Sequence, residues 1–334
     1  MKKVVLSLLV LVVAAISLTA CTPAKVYKFG VGVVMSVSGA AATAEADGKY
    51  GVNVDIVTVV LDKDGKIVDA TWDVAQTSNL KFDATGALKT DLSTYVLKTK
   101  GEKGSAYGMK DSSPIKKEWY EQAAFMADYV KGLDKAGVEA IELADGYAAS
   151  ADIKAGTTIH INAFQAALLE AIDNAVEVKK AAKFGWAATI AVSGSAATAE
   201  ADGKYGVNVD FTTVVLDKDG KVLNATWDVA QASNMKFDAT GALKADPASY
   251  VKTKMEKGSE YGMKDSSPIK KEWNEQSAFM SAYVVGKTLA DIQAIELADG
   301  YAASADIKAG TTVHINTWQA TIVKAINAAV DFTK

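Results

Sequence analysis

The residues best placed to do chemistry are hydroxyls and an imidazole carried on a stretch that occurs twice. Asp152-Ile153-Lys154-Ala155-Gly156-Thr157-Thr158 returns unchanged as Asp306-Ile307-Lys308-Ala309-Gly310-Thr311-Thr312. The only histidines, His160 and His314, lie two residues beyond each copy. The pattern places Gly156 and the threonine pair where an extended segment turns into an amphipathic helix, so free N–H groups and the helix dipole favour a negative group there. Glycine lets the backbone approach such a group because it has no Cβ. A threonine hydroxyl at that turn either caps the helix or is esterified, and by composition alone capping is the commoner use. One histidine per copy argues against a metal site. Near a helix N-terminus the imidazole tends to stay neutral and can bond a phosphate or a ring, or simply face solvent.

Other repeated residues are candidates for the walls of such a site. Tyr107 and Met109, with Tyr261 and Met263, sit in glycine-containing loops of the kind that can cover a flat ring. Tyr147 and Tyr301 stand just before the motif as stacking candidates, and Lys154 and Lys308 can neutralise a phosphate. Trp119, Gln122, Trp273 and Gln276 line either a pocket or the core, and the helical stripe favours the core for the tryptophans. The chain contains no serine-hydrolase elbow, Walker loop, zinc pattern or dinucleotide fingerprint.

Composition narrows the partners. There is no arginine, so a phosphate would be held by lysine or backbone N–H groups. A formal charge of −4 argues against nucleic acid, which calls for a basic face. Residues 1–20 read as an export signal: Lys2 and Lys3, an apolar run from Val4 to Ile16, then Leu18-Thr19-Ala20 before Cys21. Cys21 is the sole cysteine, which leaves no disulfide and no thiolate cluster. Leu18-Thr19-Ala20-Cys21 resembles the lipobox of bacterial lipoproteins, which implies acylation of Cys21 and tethering to the outer face of a membrane.

The motif's duplication extends to the whole mature chain. Val59 to Lys66 aligns with Val214 to Lys221, and Tyr107 to Pro114 with Tyr261 to Pro268. The reading is a spacer over 21–27, one domain over 28–178 and a second over 179–334. Each is expected to be α+β, a twisted, mostly antiparallel sheet packed with helices. Val52 to Leu61 and Lys66 to Trp72 predict a β-hairpin about the Asp62-Lys63-Asp64-Gly65 turn. Ser113-Pro114 predicts a helix start, and Ile161, Phe164, Leu168, Ala171 and Ala175 a helical stripe that packs on the sheet. The joint from Glu177 to Lys183 has neither proline nor glycine and is expected to continue the last helix of the first copy.

The repeated motif resembles the flavinylation sequence Asp-x-x-Ser-Gly-Ala-Thr of FMN-binding domains of the NqrC/RnfG type. The resemblance implies FMN joined through its phosphate to Thr158 and Thr312 by an ApbE-type flavin transferase, with Asp152, Asp306, Gly156 and Gly310 matching the family positions. Ala155 and Ala309 replace the family's serine, and Thr157 and Thr311 its alanine, so two adjacent hydroxyls stand at each site and alignment selects the second. The lipobox, spacer and paired motifs together resemble tandem FMN-binding lipoproteins of Gram-positive bacteria. That likeness implies an extracytoplasmic carrier taking electrons from a membrane NADH/quinone chain to external acceptors, the flavin carrying the chemistry. Alternative readings are a lipid-anchored module without redox chemistry, such as a solute receptor or pheromone precursor, and a repeat adhesin.

Overall fold

The computed structural model describes residues 26–332. The expected export signal over residues 1–20 and the expected acylation of Cys21 lie outside them, and among the described residues no helix is long and apolar enough to cross a membrane.

The chain is α+β and runs through one element order twice. The first set is β1 (Tyr27–Ala40), β2 (Gly48–Leu61), β3 (Ile67–Phe82), α1 (Lys100–Lys103), α2 (Trp119–Tyr129), α3 (Lys135–Glu139), β4 (Leu143–Ala144), β5 (Tyr147–Ala148), α4 (Ala151–Lys154), α5 (Asn162–Asp173) and β6 (Val176–Val178). The second is β7 (Lys183–Ser195), β8 (Gly203–Leu216), β9 (Val222–Phe237), α6 (Lys254–Lys257), α7 (Trp273–Tyr283), α8 (Leu289–Gln293), β10 (Leu297–Ala298), β11 (Tyr301–Ala302), α9 (Ala305–Lys308), α10 (Asn316–Asn327) and β12 (Val330–Asp331). Each set forms a four-stranded antiparallel sheet, ordered β3-β2-β1-β6 and β9-β8-β7-β12.

Strand β2 shows why the layers stack as they do. Every residue from Asp55 to Leu61 is buried, so both faces of the sheet are covered. On one face Val57, Val59 and Leu61 meet Trp119 and Met126 of α2 and Phe164 and Leu168 of α5. On the other, Val52, Val54 and Ile56 meet Val207, Val209 and Phe211 of the second sheet. The result is helix, sheet, sheet, helix. Glycines set the depth of the helix contact, because a Cβ on Gly30 or Gly32 would run into the backbone of Ala171 or Ala167 in α5.

The sheets meet by reciprocal contacts. Tyr50 donates its hydroxyl to Lys236 O at 2.7 Å, and the aligned Tyr205 donates to Lys81 O at 2.5 Å. Ala42 N donates to Gly241 O, and Ala197 N to Gly86 O. The aligned Phe82 and Phe237 stack on each other with centroids 3.9 Å apart. Such mutual exchange has the form of an isologous interface, here within one chain.

Two sequence expectations need correction. The joint after the first copy is a strand and a turn rather than more helix: Val176 and Val178 pair with Phe29 and Tyr27, and Lys180 turns at φ 63° before β7 begins. The β-branched valines and the edge of β1 that needs a partner outweigh the helix-forming composition. Helix α2 starts at Trp119, five residues after Pro114. Lys116 at φ 52° cannot continue a helix, and the Glu118 N–H instead donates to the Glu121 carboxylate at 2.8 Å.

Candidate functional site

The floor of the site is the polar half of the sheet face that looks toward the helices. Alternation along β2 puts Asn53 and Asp55 on that face beside the aligned residues of β3. Trp72 donates its indole N–H to Asp55 Oδ1 at 3.0 Å, and Gln76 donates to Asn53 Oδ1 at 2.9 Å. Tyr107, half-buried in the loop after α1, donates to Gln76 Oε1 at 3.2 Å. Burial pushes Asp55 up to about 6, against the Trp72 hydrogen bond and the nearby Lys100. Lys100 in turn is lowered by its burial. Its ammonium lies 5.2 Å from the Trp119 ring centroid and 5.4 Å from that of Tyr107, which compensates part of the lost hydration.

A buried glutamine holds the threonine segment against this floor. Gln122, from the first turn of α2, accepts from the Thr158 N–H at 2.7 Å. Its amide nitrogen donates to Ser113 Oγ and Lys117 O, both at 3.1 Å, so the side chain has one orientation in which it is fully used. The Thr158 hydroxyl is 3.3 Å from the same oxygen and the Thr157 hydroxyl 3.5 Å. Thr157 is only 2% exposed and points into the protein, whereas Thr158 is half-buried. The Asp145-Gly146 turn of the β4–β5 hairpin, positive in φ at both residues, then brings Tyr147 over His160 with ring centroids 3.9 Å apart.

The open cleft between these elements has a volume of about 500 Å³. Thr158, His160, Tyr107 and Met109 all line it, together with Tyr147, Trp119, Asp55 and Lys100. Asp152 does not; it is exposed on the first turn of α4. Thr157 and Gly156 also lie outside its lining. A Cβ on Gly156 would enter the Phe125 ring, so this glycine is needed for packing rather than for backbone approach to a ligand. Gly310 meets Phe279 in the same way.

The expectation that the threonines stand at a helix start is also corrected. Gly156 and Thr157 close the short helix α4, and α5 begins after Ile161, which makes no side-chain cap. Neither hydroxyl caps α5. Both are anchored to Gln122 of α2 instead, a contact between residues more than thirty positions apart that no local pattern encodes.

The second copy repeats the arrangement. Gln276 accepts from the Thr312 N–H at 2.7 Å, Trp227 donates to Asp210 at 3.1 Å, and Tyr261 donates to Gln231 at 3.3 Å. Met263 N donates to Glu272 at 2.9 Å, as Met109 N does to Glu118. Tyr301 lies 3.9 Å from His314, Thr311 is buried, and Asp306 is exposed on α9. Asp210 is likewise pushed up to about 6 by burial.

Sequence reasoning missed Asp55, Asn53, Trp72, Gln76 and Lys100, with their counterparts. A signal was present: Asn53 and Asp55 interrupt the β-branched run of β2 with polar groups that a core strand would exclude. Chemically the site offers aromatic and thioether surfaces for a flat ring, hydrogen-bonding amides, a carboxyl raised by burial to about 6, and the hydroxyls of Ser36 and Thr158 on the wall. Among the described residues no cluster suits a metal ion.

No family model matches the chain, and no solved structure matches it. A chlorophenol reductase of Desulfitobacterium hafniense is 35% identical over 98 residues, 26% of this chain and 30% of that protein. The chain therefore spans less than a third of that relative.

Proposed function

We propose that the chain is a lipid-anchored, extracytoplasmic electron carrier holding one FMN in each copy, joined by a phosphoester to Thr158 and to Thr312. The observation that carries this reading is the difference between neighbouring threonines. Thr157 and Thr311 are buried, whereas Thr158 lies on the wall of a ring-sized cavity and Thr312 has the same anchor and exposure. The residues fit the group in kind: Tyr107, Met109, Trp119 and Tyr147 offer faces for an isoalloxazine, and Asn53 and Asn162 offer amides to its polar edge. When bound, the flavin supplies electron transfer. The protein would hold the ring, and Asp55 Oδ carries a proton within the site below about pH 6. A covalent link suits an exported carrier, since a free cofactor would be lost to a dilute exterior.

The redox character of the relative's printed name, a reductase, favours this reading over a plain solute receptor. Electrons would enter from a membrane NADH/quinone chain, and Cys21 would hold the protein at the lipid. An ApbE-type transferase is the partner required for loading. The test is co-expression with such a transferase. Denatured protein should retain yellow colour and a mass increase of two FMN units, falling by one unit in T158A and by one in T312A. Colourless protein under those conditions would discard the redox reading, and label on Thr157 or Thr311 would move the acceptor by one residue.

A further inference from the structure

The reciprocal interface is broken at one place. In one arm Lys324 of α10 donates to Ala188 O of β7 at 2.8 Å and pairs with Glu102 Oε1 of α1. Glu102 spends its other oxygen on the α1 capping box, accepting from Thr99 N at 2.9 Å. Trp186, two residues before Ala188 on β7, packs against the core shared by the sheets. In the other arm the aligned residues are Glu170 for Lys324 and Val31 for Trp186, while Glu256 keeps the place of Glu102.

Both substitutions remove material. Glu170 turns back to accept from Val33 N at 2.8 Å, on the stretch of β1 beyond its pairing with β6. What remains is a cavity of about 620 Å³. Its wall carries Glu170, Glu256 and Asp228, facing the apolar surfaces of Phe29, Val31 and Met255. No lysine lines it. Glu256 spends Oε2 on its own capping box, accepting from Thr253 N at 2.6 Å, and its Oε1 has no partner among the described residues. The corresponding oxygen of Glu102 is the one that holds an ammonium. Glu170 is held above the ordinary carboxylate range by burial and by the charges of Glu256 and Asp228. Burial raises Asp228 to about 6. Three carboxylates around an apolar cleft repel one another unless a cation joins them. They do not form a group that suits a metal.

We propose that this cavity binds a primary alkylammonium ligand, its ammonium at Glu256 and Glu170 where Lys324 stands in the other arm, its apolar body against Val31 and Phe29. The chain thus carries, in one arm, a built-in copy of the ligand it takes in the other. This site is independent of Thr158 and Thr312.

Calorimetric titration of the whole chain with n-hexylamine at pH 8, against 1-hexanol and hexanoate, tests it. The amine should bind once per chain, and the alcohol and acid at least about tenfold more weakly, the size of one charge-assisted hydrogen bond. E256Q should weaken amine binding by about the same factor, and V31W/E170K, which rebuilds the filled arm, should abolish it. T158A should bind the amine unchanged. Equal binding of 1-hexanol and n-hexylamine, no binding of the amine, or full binding by E256Q would each overturn the proposal. E256Q lies on an exposed helix end, so it decides the question even if V31W/E170K fails to fold.

Discussion

Gln122 and Gln276 grip the threonine backbone at the same 2.7 Å, and Tyr147 and Tyr301 cover their histidines at the same 3.9 Å. The arms where the halves meet differ instead: Lys324 pairs with Glu102 on one side, and Glu170 faces Glu256 on the other. Both regions are built from repeated sequence. A region that must keep one geometry keeps its residues twice, whereas an interface needs only enough buried area and tolerates divergence. The unchanged anchors of Thr158 and Thr312 are therefore where a shared task is expected, and the unequal arms are where the copies differ.

The comparison can be broken most severely at its axis. Phe82 and Phe237 are fully buried, stacked on each other and common to both sheets. F237A should cost about 3–5 kcal/mol and destabilise both halves together, since the core is shared. Urea unfolding should show one transition at a lower midpoint; two separated transitions would mean that the sheets are energetically independent.

A smaller effect distinguishes one site from the other. Q122L leaves the Thr158 N–H and two acceptors near it without their partner, at about 1–3 kcal/mol. It should also lower flavin loading on Thr158 while leaving Thr312 untouched, read by peptide mass spectrometry. Equal loss at both threonines would contradict the independence of the two anchors.

Asp55 and Asp210 give a paired pH effect. Each folded-state value, about 6, lies above the ordinary carboxylate value of 3.8, so the folded chain holds protons that the unfolded chain has released. Their contribution to stability is therefore present below about pH 4 and is lost as pH rises toward 6, on the order of 1–3 kcal/mol for each. D55N and D210N should each flatten that part of the stability profile, to a similar degree. A profile unchanged by either substitution would remove the basis for a proton held at the site.

The weakest expected effect lies in the filled arm. The Glu102–Lys324 pair is partly exposed at both ends, so K324M should cost less than about 1 kcal/mol in urea unfolding. A larger loss would show that the pair, rather than the apolar core beside it, secures that arm.

Much of the frame was legible in the residues. The Asp62-Lys63-Asp64-Gly65 turn closes the β2–β3 hairpin, with Asp62 Oδ1 accepting from Asp64 N and Lys66 N at 2.9 Å, and the stripe through Phe164 and Leu168 does face the sheet. The continuation of β3 to Phe82 was not read, because Gln76, Thr77, Ser78 and Asn79 look like loop. Their polarity serves the site floor and the strand end. The face-to-face packing of the sheets was hidden as well, although the run from Ile56 to Leu61, apolar but for Thr58, is what a doubly covered strand requires. At the site, repetition and the family resemblance singled out Thr158, His160, Tyr107 and Met109, and these four line one cavity. Neither could reveal that Gly156 serves Phe125, or that Gln122 holds the threonines, because both contacts are made only by the folded chain.

The most direct measurement is the intact mass of denatured protein produced with a flavin transferase, for the native chain, T158A, T312A and the double variant. The account predicts two, one, one and no FMN adducts respectively. An adduct retained by the double variant, or none on the native chain, would contradict it.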